Sequence, residues 1–249
     1  MTQKWNHRYE VKPGRWVFVP SEDARRSGKR IKKAVENHWK PPSFYYHLRQ
    51  GGHVAALRCH EARAFFLRVD IDDFFGRVNR SRVTRCLKGW YPYSEAREMA
   101  SESVVRRPTS SEFVLPYGFV QSPILASLAL DRSKLGAFLR KAHANPALDV
   151  SLYMDDIVIS SDDESVLDDT AYGLEAASTA AIFPLSTSKR QGPARCVSAF
   201  NIDICQGSML ITTARMSAFQ SAFSSGSSAA REGIFSYVES INPIQVASL

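Results

Sequence analysis

Runs of β-prone residues predict strands at several places along the chain. The most apolar run, residues 64–69, ends at Asp70 and predicts a buried strand. Two further runs, residues 150–154 and 157–160, are separated only by Asp155-Asp156. Two apolar strands split by two polar residues are typical of a tight hairpin. The pattern therefore predicts a hairpin that carries two acids at its tip.

Apolar residues at helical spacing predict helices between these strands. Ser122-Pro123 opens the clearest one, with Ser as N-cap and Pro at the first helical position, and Asn145-Pro146 ends it. Residues 221–228 are low in complexity, since five of the eight are Ser, and predict a loop or linker. The remaining predicted helices and late strands are a basic helix at 25–35, two helical pieces broken near Pro92 at 80–105, a helix at 163–182, strands at 197–204 and 209–212, and a last helix at 233–238. This mixture indicates an α+β fold.

The composition of the chain predicts a globular, basic protein. The chain has 249 residues, of which 44% are hydrophobic and 23% charged, with a formal net charge of +7 and a sequence pI of about 9.3. A basic balance of this size fits a polyanionic partner, because Lys and Arg displace counterions condensed on phosphates. A merely basic protein without such a partner is the alternative.

The cysteines and the apolar runs predict a cytoplasmic protein that does not enter a membrane. No two cysteines form a C-x-x-C pair, so we expect reduced thiols that fill the core. The first residues lack the apolar stretch of a signal peptide. No apolar run approaches the roughly 20 residues that a membrane-spanning helix needs.

Three carboxylates have positions that indicate chemistry. Asp70 ends a buried strand, and Asp155 and Asp156 lie at the predicted hairpin tip. Acids at such places are costly unless they face a cation or solvent, and Mg²⁺ prefers oxygen ligands. Two metal ions can stabilise the attacking and leaving oxygens of an in-line displacement. Taken alone, an Asp-Asp pair is also common in turns, and that reading stays open.

Three motifs in order resemble reverse transcriptases. Tyr153-Met154-Asp155-Asp156 is similar to their Tyr-x-Asp-Asp signature. Residues 67–75, Leu-Arg-Val-Asp-Ile-Asp-Asp-Phe-Phe, resemble the first-aspartate motif in its retron and group II intron form. Residues 115–123, Leu-Pro-Tyr-Gly-Phe-Val-Gln-Ser-Pro, resemble the motif that lies between these two in the family.

Weaker matches extend the resemblance over most of the chain. They are residues 15–20, 48–52, 232–237 and 240–243, together with Lys189. The resemblance implies a right-hand polymerase fold whose palm is an antiparallel sheet backed by helices. It divides the chain into fingers at 1–64, a palm at 65–204 with finger insertions around 80–112, and a reduced thumb at 205–249.

The resemblance also implies catalytic roles. Asp70 and Asp155 would hold two Mg²⁺ ions, for which Mn²⁺ is a substitute, with Asp156 and Ile71 completing the metal site. Asp72 and Asp73 are rivals for the role of Asp70, but the family places its ligand five residues before the aromatic. Lys189 would protonate or neutralise the leaving pyrophosphate.

Substrate binding is implied for a further set of residues. Phe75, beside Phe74, would occupy the space of a ribose 2′-hydroxyl and so favour deoxynucleotides, although such an aromatic pair is also typical of a core. The other implied substrate-binding residues are Asp73, through its backbone, Arg49 as a triphosphate clamp, and Tyr117, Gly118 and Gln121 beside the nascent base pair. Surface, turn and cap roles are the alternatives for these residues.

The implied function is RNA-directed DNA polymerase activity of a bacterial type. The partners would be an RNA template, the DNA product and dNTPs, with a dedicated non-coding RNA in phage defence or a retron-like system. An effector protein or a second copy of the chain is a further implied partner. Two alternatives stay open, namely template-independent or protein-primed DNA synthesis, and an RNA-binding scaffold without catalysis.

Overall fold

The computed structural model of the chain describes residues 3–108 and 110–249. Met1, Thr2 and Thr109, which belong to the predicted fingers and their insertion, lie outside the described residues. The strands are β1 (Trp5–Lys12), β2 (Arg15–Pro20), β3 (Phe65–Asp70), β4 (Val105–Arg106), β5 (Phe113–Val114), β6 (Asp149–Tyr153), β7 (Asp156–Ser161), β8 (Gln191–Ala194), β9 (Cys196–Ala199), β10 (Ile202–Cys205) and β11 (Ser208–Ile211).

The helices confirm most of the predicted pattern. They are α1 (Glu22–His38), α2 (Gly52–Arg58), α3 (Arg80–Leu87), α4 (Tyr93–Ser103), α5 (Ser122–Asp131), α6 (Lys134–His143), α7 (Glu164–Ala181), α8 (Thr213–Ser225) and α9 (Ser228–Ile241). No helix in the described part of the chain combines the length and the apolar character required to cross a bilayer.

The chain divides into two compact units, each made of several segments. The first unit is Met1–Pro42, Asp72–Phe138 and Ala177–Pro184, and the second is Ser43–Ile71, Leu139–Ala176 and Leu185–Leu249. The division into fingers, palm and thumb stays a prediction.

The second unit is built on a four-stranded antiparallel sheet in the order β6-β7-β3-β8. Strands β3 and β7 lie at its centre, and residues such as Phe66, Leu67 and Val158 are almost completely buried. A three-stranded sheet, β11-β10-β9, packs with helices α8 and α9 in the same apolar core. The predicted buried strand and the predicted acid-tipped hairpin are both confirmed.

The register of β3 and β7 determines where the acids lie. Asp70 is the Cα partner of Asp156, and Asp156 is also the partner of Tyr153 across the hairpin. Only Met154 and Asp155 lie between the paired residues, so they form the turn. Strand β3 and the hairpin therefore end at the same edge of the sheet.

The first unit contains the β1-β2 hairpin, helix α1 and the helices α3 to α5. Phe18, Val105 and Phe119 form a small core with Trp5 and Trp16 packed against it. Ser21 caps α1 by accepting a hydrogen bond from the Ala24 amide at 3.3 Å.

The single long helix predicted from Ser122 to Asn145 is wrong, because the chain forms two helices, α5 and α6. The Ser133 hydroxyl donates to the Leu130 carbonyl at 2.6 Å and accepts from the Gly136 amide at 3.2 Å. Ser133 therefore ends one helix and caps the next. Apolar spacing alone did not reveal this local competition.

The predicted loop at 221–228 is also wrong over most of its length. Helix α8 continues to Ser225, and only Gly226 and Ser227 separate it from α9. Alanine favours helix, and the serine hydroxyls donate to carbonyls one turn earlier, for example Ser224 to Gln220 at 2.9 Å.

The expectation of four reduced thiols is wrong for two of them. Cys196 and Cys205 are directly paired across β9 and β10, with their Cα atoms 4.4 Å apart, and form a disulfide. Cys59 and Cys86 are free. The pairing depends on strand register, which the cysteine spacing did not reveal.

Candidate catalytic site

The second unit brings Asp70, Asp155 and Asp156 together. One ligand oxygen from each carboxylate lies within 4.8 Å of the others. Asp70 is 3% exposed, and the other two acids are half-buried. The Ile71 amide donates to the Asp155 carbonyl at 2.8 Å, so the end of β3 is hydrogen bonded to the turn. Acids 85 residues apart in sequence therefore share one site.

The electrostatics of this cluster favour a bound cation. Burial, followed by the nearby charge of Asp70, raises the pKa of Asp155 to about 6. Burial also raises the pKa of Asp156, while a hydrogen bond from Arg68 acts in the opposite direction. Half-buried carboxylates with raised pKa values repel one another, and a divalent cation relieves that repulsion.

Arg68 forms an ion pair with Asp156. Its Nη2 and Nε atoms donate to Oδ1 of Asp156 at 2.6 and 3.1 Å. Arg68 lies two residues before Asp70 on β3, and side chains alternate along a strand, so both lie on the same face. Asp156 is therefore held by a guanidinium, whereas Asp155 has no ion pair among the described residues.

Lys189 lies against Asp70. Its Nζ atom donates to both carboxylate oxygens at 2.8 Å, and its side chain is 46% exposed. A short 3₁₀ helix, Thr187–Lys189, carries it, and the Ser186 amide donates to the Asp70 carbonyl at 2.8 Å. The lysine thus places a partly exposed positive charge at the rim of the acidic cluster.

The residues present fit a divalent metal site. Three carboxylates converge at distances that ions can bridge, and the donor set consists of oxygens, which Mg²⁺ and Mn²⁺ prefer. Ile71, the predicted fourth contributor, is fully buried, and its amide is used in the hydrogen bond to Asp155.

The two rival acids lie in the first unit. Arg77 donates to Asp72 at 3.0 Å, and Arg107 donates to Asp73 at 2.7 Å. Asp73 has a φ of 51°, in the left-handed region. Gly76 follows it closely, and a Cβ at Gly76 would collide with the Asp73 carboxylate. Asp73 thus lies in a tight turn closed by Gly76, and its carboxylate is paired with Arg107.

The predicted substrate aromatics form one cluster of the first unit. Phe74 and Phe75 stack with ring centroids 5.6 Å apart, and Phe75 meets Tyr117 edge to face at 4.7 Å. Phe75 is 7% exposed. The Arg15 guanidinium lies 5.1 Å from the Tyr117 ring centroid, which brings a weakly matched arginine to the same cluster.

Gly118 and Gln121 are both closely packed against other residues of the first unit. Gly118 has a φ of 99°, and a Cβ there would collide with the Phe18 carbonyl. Gln121 is 1% exposed and lies against Gly28 of α1. Within the described residues, its amide atoms are buried without a hydrogen-bond partner.

Arg49 is engaged in the second unit. It donates to the Ser43 carbonyl at 2.6 Å, and its guanidinium lies 4.8 Å from the Tyr46 ring centroid. The role of triphosphate clamp stays a prediction.

Two residues that contact the acidic site or its turn, Arg68 and His47, were not predicted from the sequence. Arg68 could have been identified from the sequence, because it lies two residues before Asp70 and therefore on the same face of the predicted strand. His47 could not have been identified, because its contact with the Met154 amide joins residues 107 positions apart.

A comparison with known families gives one match. The profile of the family described as "Reverse transcriptase (RNA-dependent DNA polymerase)" matches residues 11–197, well over half of the chain. No curated protein matches the chain with significance.

Solved structures share the fold at low sequence identity. A foamy viral protease-reverse transcriptase in complex with double-stranded DNA is 16% identical, with a TM-score of 0.52 over 92% of this chain and 35% of that chain. Telomerase from Candida albicans, in complex with a fragment of telomeric RNA, is 9% identical, with a TM-score of 0.57 over 94% of this chain and 52% of that chain. The chain therefore spans about a third and about half of these two relatives. The predicted α+β polymerase fold is confirmed.

Proposed function

The chain belongs to the reverse transcriptase (RNA-dependent DNA polymerase) family, and from this premise we propose that it is an RNA-directed DNA polymerase that joins deoxynucleotides by two-metal nucleotidyl transfer. The family places it among the nucleotidyltransferases. The observation that carries the proposal is the convergence of Asp70, Asp155 and Asp156 at one edge of the sheet.

Asp70 and Asp155 are the residues that would hold the metal ions, with Asp156 beside them. When bound, the two ions stabilise the charge on the attacking and leaving oxygens of the transferred phosphoryl group. Asp155, with a pKa of about 6, is mostly ionised above neutral pH and is then available as a ligand. Arg68 keeps Asp156 oriented and offsets part of the negative charge.

Lys189 supplies a partly exposed cation at the site. Its ammonium group can donate a proton or a hydrogen bond to the departing pyrophosphate, since its side chain is nearly half exposed. Phe75 selects against ribonucleotides by occupying the place of the 2′-hydroxyl, with Tyr117 packed against it. Supplying ribonucleotides in place of dNTPs measures this selection.

The experiment that tests the proposal is primer extension on an RNA template with Mg²⁺. Asp155→Ala should lower incorporation by at least about 100-fold, because a group that stabilises charge in the transition state is lost. Asp169→Ala is the matched control, since Asp169 is an exposed acid of the same unit. Circular dichroism verifies that both variants fold. Wild-type incorporation by Asp155→Ala would contradict the mechanism.

The same assay separates the two alternatives. Incorporation that does not depend on added RNA would favour template-independent or protein-primed synthesis. RNA binding without metal-dependent incorporation on any template would favour the scaffold.

The proposal extends to a bacterial enzyme that copies a dedicated non-coding RNA in phage defence or a retron-like system. Its support is the Asp-Ile-x-x-Phe-Phe form of residues 70–75. Sequencing the nucleic acid that co-purifies with the protein tests it. One dominant RNA with its complementary DNA is expected, and a heterogeneous mixture of cellular RNA would contradict it.

A further inference from the structure

The turn that carries Asp155 has an unfavourable backbone conformation. Met154, the first residue of the turn, has a φ of 60°. This left-handed region costs a residue with a side chain about 1–2 kcal/mol, and glycine usually occupies it in two-residue hairpins. Something outside the hairpin must therefore stabilise the turn.

The hydrogen bond from the Ile71 amide to the Asp155 carbonyl is one such contact, and His47 supplies another from a distant segment. The Met154 amide donates to Nδ1 of His47 at 3.0 Å. His47 lies in a short 3₁₀ helix, Tyr46–Leu48, and the residues before this helix bridge to β6. The Leu152 amide donates to the Phe44 carbonyl at 2.8 Å, so the backbone beside His47 is fixed to the hairpin.

The imidazole is held in place by its neighbours. Its ring centroid lies 5.8 Å from that of Tyr153, edge to face, and 6.0 Å from that of Tyr45. Burial lowers the pKa of His47 to about 4, while a hydrogen bond with the Leu152 backbone acts in the opposite direction. The neutral ring has one unprotonated nitrogen, which an amide donor requires.

We propose that His47 is a positioning residue, whose Nδ1 holds the Met154 amide and thereby fixes the turn that directs the Asp155 carboxylate toward Asp70. The catalytic part of this inference rests on the proposed function. The structural part, that His47 fixes the turn, does not.

Two substitutions separate the hydrogen bond from the bulk of the ring. In His47→Asn, the side-chain oxygen occupies nearly the place of Nδ1 and retains the acceptor. In His47→Leu, the acceptor is removed. We expect kcat for dNTP incorporation to fall about 10- to 100-fold in His47→Leu with little change in KM, because a displacement of about 1 Å at a reacting group costs up to 100-fold. His47→Asn should recover kcat to within about threefold of wild type on the same ground.

Hydrogen exchange gives a readout that does not depend on activity. The chain has five methionines, so ¹⁵N-methionine labelling gives few amide signals. The Met154 amide should be protected in wild type and in His47→Asn, and should exchange at least about 10-fold faster in His47→Leu. The amides of Met99, Met209 and Met216, which lie in helices or strands, should keep their rates and report on folding.

His38→Leu is the matched control, since His38 is an exposed histidine of α1. If His47→Leu does not fold, His47→Phe replaces it, because the phenyl ring retains the shape of the imidazole and has no nitrogen acceptor. An unchanged Met154 exchange rate in the variant without the acceptor would overturn the proposal, and so would faster exchange with an unchanged kcat. If the wild-type chain incorporates no nucleotide, the proposed function fails, and the exchange rates still decide whether His47 holds the turn.

Discussion

Arg68 and Asp156 form a pair whose side chains are only 16% and 15% exposed. Removing both charged groups from a half-buried pair costs little, whereas removing one leaves the other charge without a partner. The arginine is therefore as much a part of the acidic site as the acids.

Arg68→Met should lower the free energy of unfolding by roughly 2–3 kcal/mol, because it leaves the Asp156 carboxyl group, which is 15% exposed, without its ion-pair partner. Adding Asp156→Asn should restore part of this loss. Urea unfolding measures both effects. Arg26→Ala is the control, since Arg26 and Asp23 form an exposed pair whose loss should cost under about 1 kcal/mol. Equal losses in the single and the double variant would refute the charge explanation.

At this scale, the sequence identified the residues of the site better than their partners. The three acids could be predicted to meet, because strand ends and hairpin tips are local features. Their partners could not, since Arg68 reaches Asp156 across 88 positions and His47 reaches Met154 across 107. Such contacts depend on the register and packing of elements that no local pattern specifies.

Strands β6 and β7 are joined on one face by a buried histidine. His60, just after α2, is fully buried, and its ring nitrogens lie 2.7 Å from the Ser160 hydroxyl and 2.8 Å from the Ser151 hydroxyl. Burial lowers the pKa of His60 to about 4. The two strands of the hairpin that has Asp155 and Asp156 at its tip are therefore joined by a neutral imidazole.

His60 should make the fold sensitive to acid. The unfolded chain protonates His60 below its ordinary pKa of 6.5, whereas the folded chain does so only near 4. The unfolded state thus binds more protons than the folded state between these pH values. The contribution of His60 to the free energy of unfolding, up to about 3 kcal/mol, is therefore lost as pH falls from 6.5 to 4.

Urea unfolding at pH 7, 5 and 4 tests this dependence in wild type and His60→Asn. Asp155 acts in the opposite direction, since its raised pKa makes the folded state bind more protons between 3.8 and about 6. It contributes equally to both proteins, so the difference between them isolates His60. A constant difference across the three pH values would argue against the assignment.

Elements were predicted well where burial and spacing agree, and poorly where composition was the only signal. Strand β3 and the hairpin have apolar runs bounded by acids, which determine both the type and the ends. The last five residues of helix α8, 221–225, have the composition of a linker, yet the helix that they end buries Met216 and Phe219 in the core. Tertiary packing therefore overrode the local preference of its serines.

The chain as a whole carries a net charge of +7, and α1 alone contains a run of basic residues from Arg25 to Lys33. Binding to phosphates weakens as salt rises, because the release of each condensed counterion into a more concentrated solution gains less entropy. This behaviour distinguishes binding along a nucleic-acid backbone from binding through neutral contacts.

Affinity for single-stranded RNA should fall at least about 10-fold between 50 and 200 mM salt, as expected for three or more phosphate contacts. Fluorescence anisotropy with a labelled oligonucleotide measures it. The variant Lys29→Gln with Lys33→Gln should reduce the dependence on salt, while Asp169→Ala should not. A salt-independent affinity would show that the basic charge is not used for RNA.

Because Asp70 pairs directly with Asp156, the number of residues in β3 determines whether the Asp70 side chain faces the acidic site. Since side chains alternate across a strand, a single-residue insertion or deletion between Phe65 and Asp70 would turn the first aspartate to the opposite face of the sheet. Length changes in this stretch would be tolerated only in pairs, whereas point substitutions of similar size and polarity could accumulate. We therefore expect the site to tolerate a change in the length of β3 less well than a change in its composition.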